Sequence, residues 1–165
     1  MRREGASQLE DREATMIAEL YPSLRAFASV VAPAEEDPND LVQEALVRTL
    51  RGGSLGRLEH PKAYLRTTIY HLAVSARRHW MAQRQALQRV EVDDDPPEYS
   101  WQLEELLALS PKARAVLYLR VVEGMSHGEI AGLLGCSTVA VRKTASRATH
   151  QLRRLLDEEV NDATA

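Results

Sequence analysis

Residues 126–154 begin with Ser126-His127-Gly128-Glu129-Ile130-Ala131-Gly132-Leu133-Leu134-Gly135-Cys136-Ser137 and continue to Arg154. Ser126 and Glu129 have the spacing of a capping box, in which each side chain satisfies a backbone N–H at the start of a helix. Gly135 suits the left-handed residue that closes a helix, and Ser137 can cap a second helix. The segment therefore predicts two helices joined by a tight turn, which is the layout of a helix-turn-helix.

The second of these helices has a narrow apolar face and a broad basic one. Val141, Ala145, Ala148 and Leu152 recur at the spacing of a single helix face. The side chains beside them that could contact DNA are those of Ser137, Thr138, Arg142, Lys143, Ser146, Arg147 and His150. Lys and Arg neutralise phosphates, and Arg, Ser, Thr and His also donate to base edges. A solvated amphipathic helix is the alternative, but the turn before it favours a helix that reads duplex DNA.

Charge is segregated along the chain, so the net charge of −3 hides two basic blocks. Residues 57–89 contain 7 basic side chains and 1 acidic one, and residues 110–155 contain 8 and 2. Residues 90–109 between them hold 7 acidic side chains and no basic one. Two basic blocks separated by an acidic one favour two nucleic-acid-facing surfaces on one chain.

Composition argues against several other classes of protein. Cys136 is the only cysteine, which excludes a disulfide framework and a cysteine metal cluster within one chain. The 5 histidines have no metal-ligand spacing, and neither a phosphate-binding loop nor a nucleophile motif is present. We therefore expect no catalytic residue, no metal and no cofactor. The sequence shows no secretory signal and no apolar run of membrane-spanning length, so we expect a cytoplasmic protein without membrane insertion.

Helical spacing without any strand pattern predicts an all-α chain. Asp37 and Pro38 are typical of a helix start, and Pro61 opens a further, long helix. The acidic stretch with Pro96 and Pro97 has no helical period and is typical of a linker. We predict two small helical domains joined by a flexible acidic linker, the second containing the helix-turn-helix. The predicted limits are a flexible N-terminus at 1–13, a first domain at 14–87, the linker at 88–100, a second domain at 101–156 and an acidic tail at 157–165.

Three segments, in order and spacing, resemble those of bacterial RNA polymerase sigma factors. They are Asp40-Leu41-Val42-Gln43-Glu44-Ala45, then Pro61-Lys62-Ala63-Tyr64-Leu65 with Leu72-Ala73 and Arg77-Arg78, and finally Leu109-Ser110-Pro111-Lys112-Ala113-Arg114 with the helix-turn-helix. The resemblance covers about residues 14–156. With two such domains, the chain is most similar to the extracytoplasmic-function (ECF) subfamily.

The resemblance implies a subunit that confers promoter recognition and DNA melting on bacterial core RNA polymerase. The side chains that would dock on the β′ clamp are Asp40, Leu41, Gln43 and Glu44. Those that would bind the minus-ten element are Tyr64, Arg66, Tyr70, His71, Arg77 and Arg78, although core packing is an equally good interpretation of Tyr64. The helix-turn-helix would read the minus-thirty-five element and its domain would meet the β flap. An anti-sigma factor is a further candidate partner.

A stand-alone helix-turn-helix regulator is the alternative interpretation. Its N-terminal helices would dimerise or sense a ligand, and it would need a palindromic site and no polymerase. The two basic blocks and the Asp40–Glu44 motif favour the sigma factor instead.

Overall fold

The computed structural model describes residues 2–87 and 106–162. Helix α1 spans Arg2–Val31, α2 spans Pro38–Gly52 and α3 spans Pro61–Leu87, with a 3-10 helix at Leu55–Arg57 between α2 and α3. After a helical turn at residues 106–108, α4 spans Pro111–Val121, α5 spans His127–Leu134 and α6 spans Thr138–Asp162. These two ranges contain no strand, and the predicted all-α fold is confirmed.

Local capping chemistry sets where the helices start. The Asp37 carboxylate accepts the backbone N–H of Asn39 at 2.7 Å, and Pro38 occupies the first position of α2. The Ser126 hydroxyl oxygen accepts the N–H of Glu129 at 3.2 Å, while the Glu129 carboxylate accepts the N–H of Ser126 at 2.7 Å. These bonds satisfy N–H groups that have no partner within the helix, so they fix the beginnings of α2 and α5.

Helices α5 and α6 form the predicted helix-turn-helix. Gly135 closes α5 with a φ of 64°, in the left-handed region. The Ser137 hydroxyl oxygen accepts the N–H of Ala140 at 3.2 Å and caps α6. Ile130 and Val141 are fully buried between the two helices. Helix α6, the second helix of the helix-turn-helix, is termed the recognition helix below. Because α4 also packs against α6, the recognition helix is held from two sides.

The first three helices pack around a mainly aliphatic core. Each contacts the other two. The fully buried side chains that fill the space between them include Leu24, Phe27, Val42, Leu65 and Ile69. Burying each of these from water stabilises the fold by about 1.5–3 kcal/mol.

The N-terminus differs from the prediction. Residues 2–13 belong to helix α1, whereas the sequence predicted a flexible N-terminus at 1–13. Extending a helix that is already packed costs far less than nucleating one, and no proline precedes Pro22. The Glu13 carboxylate also accepts the backbone N–H of Leu55 at 2.6 Å, which ties α1 to the turn after α2. At the other end α6 continues to Asp162. The predicted linker at 88–100 lies outside the described residues.

The two halves of the molecule, residues 2–87 and 106–162, pack against each other. Helices α1 and α3 contact α4, and α3 also contacts α5. We term these contacts the joint. A single apolar core runs through it from Leu24 to Ile130, and the rings of Phe27 and Tyr118 lie 5.7 Å apart across it. The prediction of two domains connected by a linker left open whether the two domains contact each other.

Candidate nucleic-acid interface

The basic side of α6 faces outward, as the sequence predicts. Among the seven predicted DNA-contacting residues only Thr138 is half-buried, and the other six are exposed: Ser137, Arg142, Lys143, Ser146, Arg147 and His150. Val139 lies among them and is 60% exposed, although the sequence analysis assigned it no role. Its position outside the apolar face of Val141 and Ala148 is the signal that could have identified it. An exposed apolar side chain here can contact a thymine methyl group.

The basic surface extends beyond the recognition helix. A groove beside α6, of about 540 Å³, is lined by Arg120, His127, Arg142, Ala145, Ser146, Thr149, His150 and Arg153. Arg120 is positioned by a hydrogen bond that it donates to the carbonyl of Met125 at 3.1 Å. The sequence analysis missed Arg120 and His127 because they belong to α4 and α5. Only the tertiary packing places them next to the recognition helix.

The side chains predicted to bind the minus-ten element fall on two sides of α3. Tyr64, His71 and Arg78 are exposed and are spaced seven residues apart, so they form one stripe along the helix. Tyr64 is 50% exposed, which excludes its interpretation as a core residue. Arg66, Tyr70 and Arg77 lie on the side that faces the joint.

Arg66 and Tyr70 are covered by the second half, so neither is available to DNA in this arrangement. Arg66 is only 4% exposed, pairs with the Glu123 carboxylate and lies 5.8 Å from the centre of the Phe27 ring. Burial raises the pKa of the Tyr70 hydroxyl, with a smaller contribution from nearby Cys136. The prediction that Arg66 and Tyr70 contact DNA therefore does not hold in the packed form. The face of α3 that carries them packs against the second half. Arg77 donates to the carbonyl of Leu109 across the same joint at 3.4 Å.

Glu123 is the acidic residue of the joint, and the sequence analysis did not identify it. It follows α4 and pairs with both Arg66 and Lys62 of α3, the second at 3.8 Å. Burial alone would raise the pKa of its carboxyl, but the hydrogen bond and charge of Arg66, and then Lys62, lower it below its ordinary value. The carboxylate is therefore held ionised while the halves are packed.

The predicted polymerase-docking motif on α2 is only partly exposed. Asp40 and Gln43 are exposed, and half-buried Glu44 pairs with Arg48 at 2.6 Å. Leu41 is buried in the core, so its assignment as a contact residue is wrong. Two exposed apolar side chains share the outer face of α2 with the acidic ones: Val47 and Leu50. Leu50 continues the apolar period of α2, but it is 39% exposed because it lies at the end of the helix.

Two observations concern cofactors and membranes. Over residues 2–87 and 106–162, no three His, Cys, Asp or Glu side chains come close enough together to hold a metal ion. None of the helices in these ranges is both long and apolar enough to cross a bilayer.

An exposed basic helix behind a tight turn defines a helix-turn-helix DNA-binding protein. Residues 16–85 match the family model of sigma-70 region 2, and residues 103–152 match that of sigma-70 region 4. The chain is 33% identical over 154 residues to the RNA polymerase sigma-E factor of Streptomyces avermitilis, covering 87% of this chain and 84% of that protein. It is 32% identical over 154 residues to the sigma-E factor of Streptomyces coelicolor, covering 87% and 85%.

The fold is also similar to that of a protein whose structure has been solved. The sigma factor RpoE, in its co-crystal structure with the anti-sigma factor NepR from Bartonella quintana, matches with a TM-score of 0.66 and 23% identity. The match covers 87% of this chain and 96% of that chain, and at this identity it concerns the fold alone.

The chain belongs to the sigma-70 family, in its ECF group. It is an RNA polymerase sigma factor, a transcription initiation factor whose partners are core RNA polymerase and promoter DNA. The alternative of a stand-alone regulator is not favoured.

Proposed function

We propose that this sigma factor reads the minus-thirty-five element with the exposed face of α6. The observation that carries the proposal is the outward position of Arg142, Lys143 and Arg147 directly after a formed helix-turn-helix. Their cations neutralise phosphates, while Ser146 and His150 on the same side can donate to bases. Arg120 and His127 extend the phosphate-binding surface along the groove beside α6.

The minus-ten element engages α3 in two stages. Tyr64, His71 and Arg78 offer an exposed stripe, in which an aromatic side chain can stack on an unpaired base, worth about 1–3 kcal/mol per base. Arg66 and Tyr70 join this surface only after the second half moves away from α3. The free protein therefore binds the minus-ten element weakly, and separation of the halves completes the site.

Core polymerase docks on the outer face of α2. Asp40, Gln43 and Glu44 supply polar contacts to the β′ clamp, while Val47 and Leu50 supply apolar contacts beside them. This mixture of exposed polar and apolar side chains is typical of a protein interface. The second half contacts the β flap.

The remaining assignments follow from membership of the family. The protein itself carries out no chemical step, since catalysis belongs to the polymerase, and it needs no cofactor. It acts in the cytoplasm, where it meets polymerase and chromosome. An anti-sigma factor is its regulatory partner, which the complex of the Bartonella quintana relative supports.

In vitro transcription with sigma-free bacterial core polymerase tests the proposal. Genomic fragments are transcribed with the wild-type protein, without it, and with a Lys143→Ala/Arg147→Ala variant. We expect defined transcript starts that require the protein and that the variant loses. Duplex binding at a symmetric site without any transcript would instead indicate a stand-alone regulator.

A further inference from the structure

The joint contains a cavity that shares only Arg77 with the predicted promoter and polymerase surfaces. It has a volume of about 530 Å³, within the range of pockets that hold small molecules. Both halves and the loop between α1 and α2 contribute to its wall. Its lining includes Glu35, Arg77, Trp80, Met81, Arg84 and Arg114. We term it the joint cavity.

Positive charge dominates the joint cavity. Arg114, 2% exposed, donates to the carbonyls of Ala32 at 2.9 Å and Val31 at 3.3 Å, and its Nε has no hydrogen-bond partner in the described structure. Within residues 2–87 and 106–162, no carboxylate pairs with Arg77 or Arg114. Glu35 is the one acidic residue among the described lining residues, and it lies 3.5 Å from Arg84.

The guanidinium groups of Arg77 and Arg114 repel each other electrostatically. Burial, and then the charge of Arg77, lower the pKa of Arg114 to about 10. A buried cation is stabilised by a paired anion and by filling its remaining hydrogen-bonding positions. An anion in the cavity would supply the paired charge.

The lining also indicates what kind of anion fits. Guanidinium forks match the oxygens of phosphate groups and bind them at two points. Trp80 and Met81 add apolar surface to the same wall, and the Trp80 indole N–H is held by the Glu36 carboxylate at 3.2 Å. A ligand that carries both phosphate and a planar organic group uses the whole lining.

We propose that the joint cavity binds a small phosphorylated molecule of the nucleotide class. Arg77, Arg84 and Arg114 hold its phosphates, and Trp80 contacts its organic part. Because Arg114 belongs to the second half and the other two arginines belong to the first, the bound ligand ties the halves together. It therefore stabilises the packed form against the separated one.

Isothermal titration calorimetry of the full-length protein at physiological salt tests this site without polymerase or promoter. The probes are ATP and inorganic pyrophosphate. We expect one saturable site, with ATP bound more tightly than pyrophosphate because of Trp80. Arg77→Gln and Arg84→Gln should each weaken binding by about tenfold or more, as expected for the loss of a charged contact to phosphate.

Two controls make the result decisive. Arg12→Gln removes the same charge from the exposed surface of α1, and its affinity for ATP should equal that of the wild type. The Arg84 side chain is 75% exposed, so a loss of binding in Arg84→Gln does not reflect misfolding.

Three outcomes would overturn the proposal. The first is equal weakening in all three variants, which indicates diffuse attraction to a basic protein. The second is the absence of binding in every variant and in the wild type. The third is binding only after Asp93, Asp94 and Asp95 are replaced by Asn, which identifies the chain's own carboxylates as the occupant.

Discussion

Glu123 shows how one side chain can hold two halves of a molecule together. Its carboxylate accepts from Arg66 and lies near Lys62, so the second half binds two cations of α3. Arg66 is almost fully buried, and losing its partner would leave a cation without compensation. The pair therefore stabilises the packed form more than an exposed ion pair would.

We expect Glu123→Gln to weaken the joint. The neutral amide loses the charge-assisted bond to Arg66, worth about 1.5–3 kcal/mol for hydrogen bonds to charged groups. The population of separated halves should rise, and the free variant should bind a single-stranded minus-ten oligonucleotide about tenfold more tightly or better. Fluorescence anisotropy measures this affinity. Glu59→Gln, whose carboxylate is 91% exposed, is the matched control, and equal affinities for both variants would contradict the prediction.

The same carboxylate predicts how the joint responds to acid. The pKa of Glu123 is lower in the packed form than its ordinary value of 4.5, because Arg66 and Lys62 outweigh the effect of burial. Its contribution to stability is therefore complete above that ordinary value and is lost as the pH falls through the lowered one. Small-angle scattering between neutral and acidic pH should show expansion at the acidic end. In Glu123→Gln that part of the pH dependence should be absent.

On α6, Lys143 and Arg147 should contribute separately to DNA binding. Replacing either by Ala should weaken binding to a minus-thirty-five duplex, and each lost phosphate contact should reduce the slope of log K against log salt by about one. Arg12→Ala removes an equivalent exposed charge from α1 and serves as the control. If the slopes of all three variants equal that of the wild type, Lys143 and Arg147 do not contact phosphate.

Helix α5 is the shortest of the α-helices α1 to α6, and its two ends fix the angle of α6. The capping box at Ser126 determines where it begins, and Gly135 determines where it ends. Gly135 has a φ of 64°, so glycine is favoured at this position because it adopts the left-handed backbone conformation without strain. Gly132, inside α5, has no such requirement.

Paired alanine substitutions separate the two effects of glycine in α5. Neither Gly132 nor Gly135 has another atom within 4 Å of an added Cβ, so only the backbone conformation distinguishes them. Gly135→Ala should lower the free energy of unfolding by about 1–2 kcal/mol, the cost of a left-handed residue with a side chain. Gly132→Ala should raise it by about 0.5–1 kcal/mol through helix propensity. Urea unfolding measures both, and equal shifts would contradict the argument.

For the molecule as a whole, the shared core means that neither half completes its own packing. Phe27 of α1 contacts Tyr118 of α4, and the buried set continues from one half into the other. Cooperative unfolding depends on how much apolar surface crosses between parts of a fold. The joint should therefore couple the unfolding of both halves.

We predict one cooperative unfolding transition. Phe27→Ala should lower the free energy of unfolding by about 3–5 kcal/mol, as for other buried phenylalanines. Hydrogen exchange should show that amides of α1 and α4 lose protection together in this variant. Loss of protection in α1 alone, with α4 unchanged, would mean that the halves unfold independently.

Local features of the fold were predictable, and the joint was not. The caps at Asp37 and Ser126 and the left-handed Gly135 follow from short-range chemistry, which one sequence contains in full. Arg66 and Arg114 resemble any helical arginine in sequence, and their burial depends on partners far along the chain. The exposed residues of α6 were predictable because an amphipathic period separates them from its apolar face.

Three side chains of the joint donate four hydrogen bonds to main-chain acceptors. Arg114 donates to Val31 and Ala32, Thr67 to Leu133 at 2.9 Å, and Arg77 to Leu109. Every residue type carries a main-chain carbonyl, so substitution at an acceptor position leaves the acceptor in place. Amino-acid substitution is therefore constrained at the three donor residues and much less at the residues that supply the acceptor carbonyls. Homologues could retain this packing without correlated changes between the two halves, and covariation would then fail to reveal it.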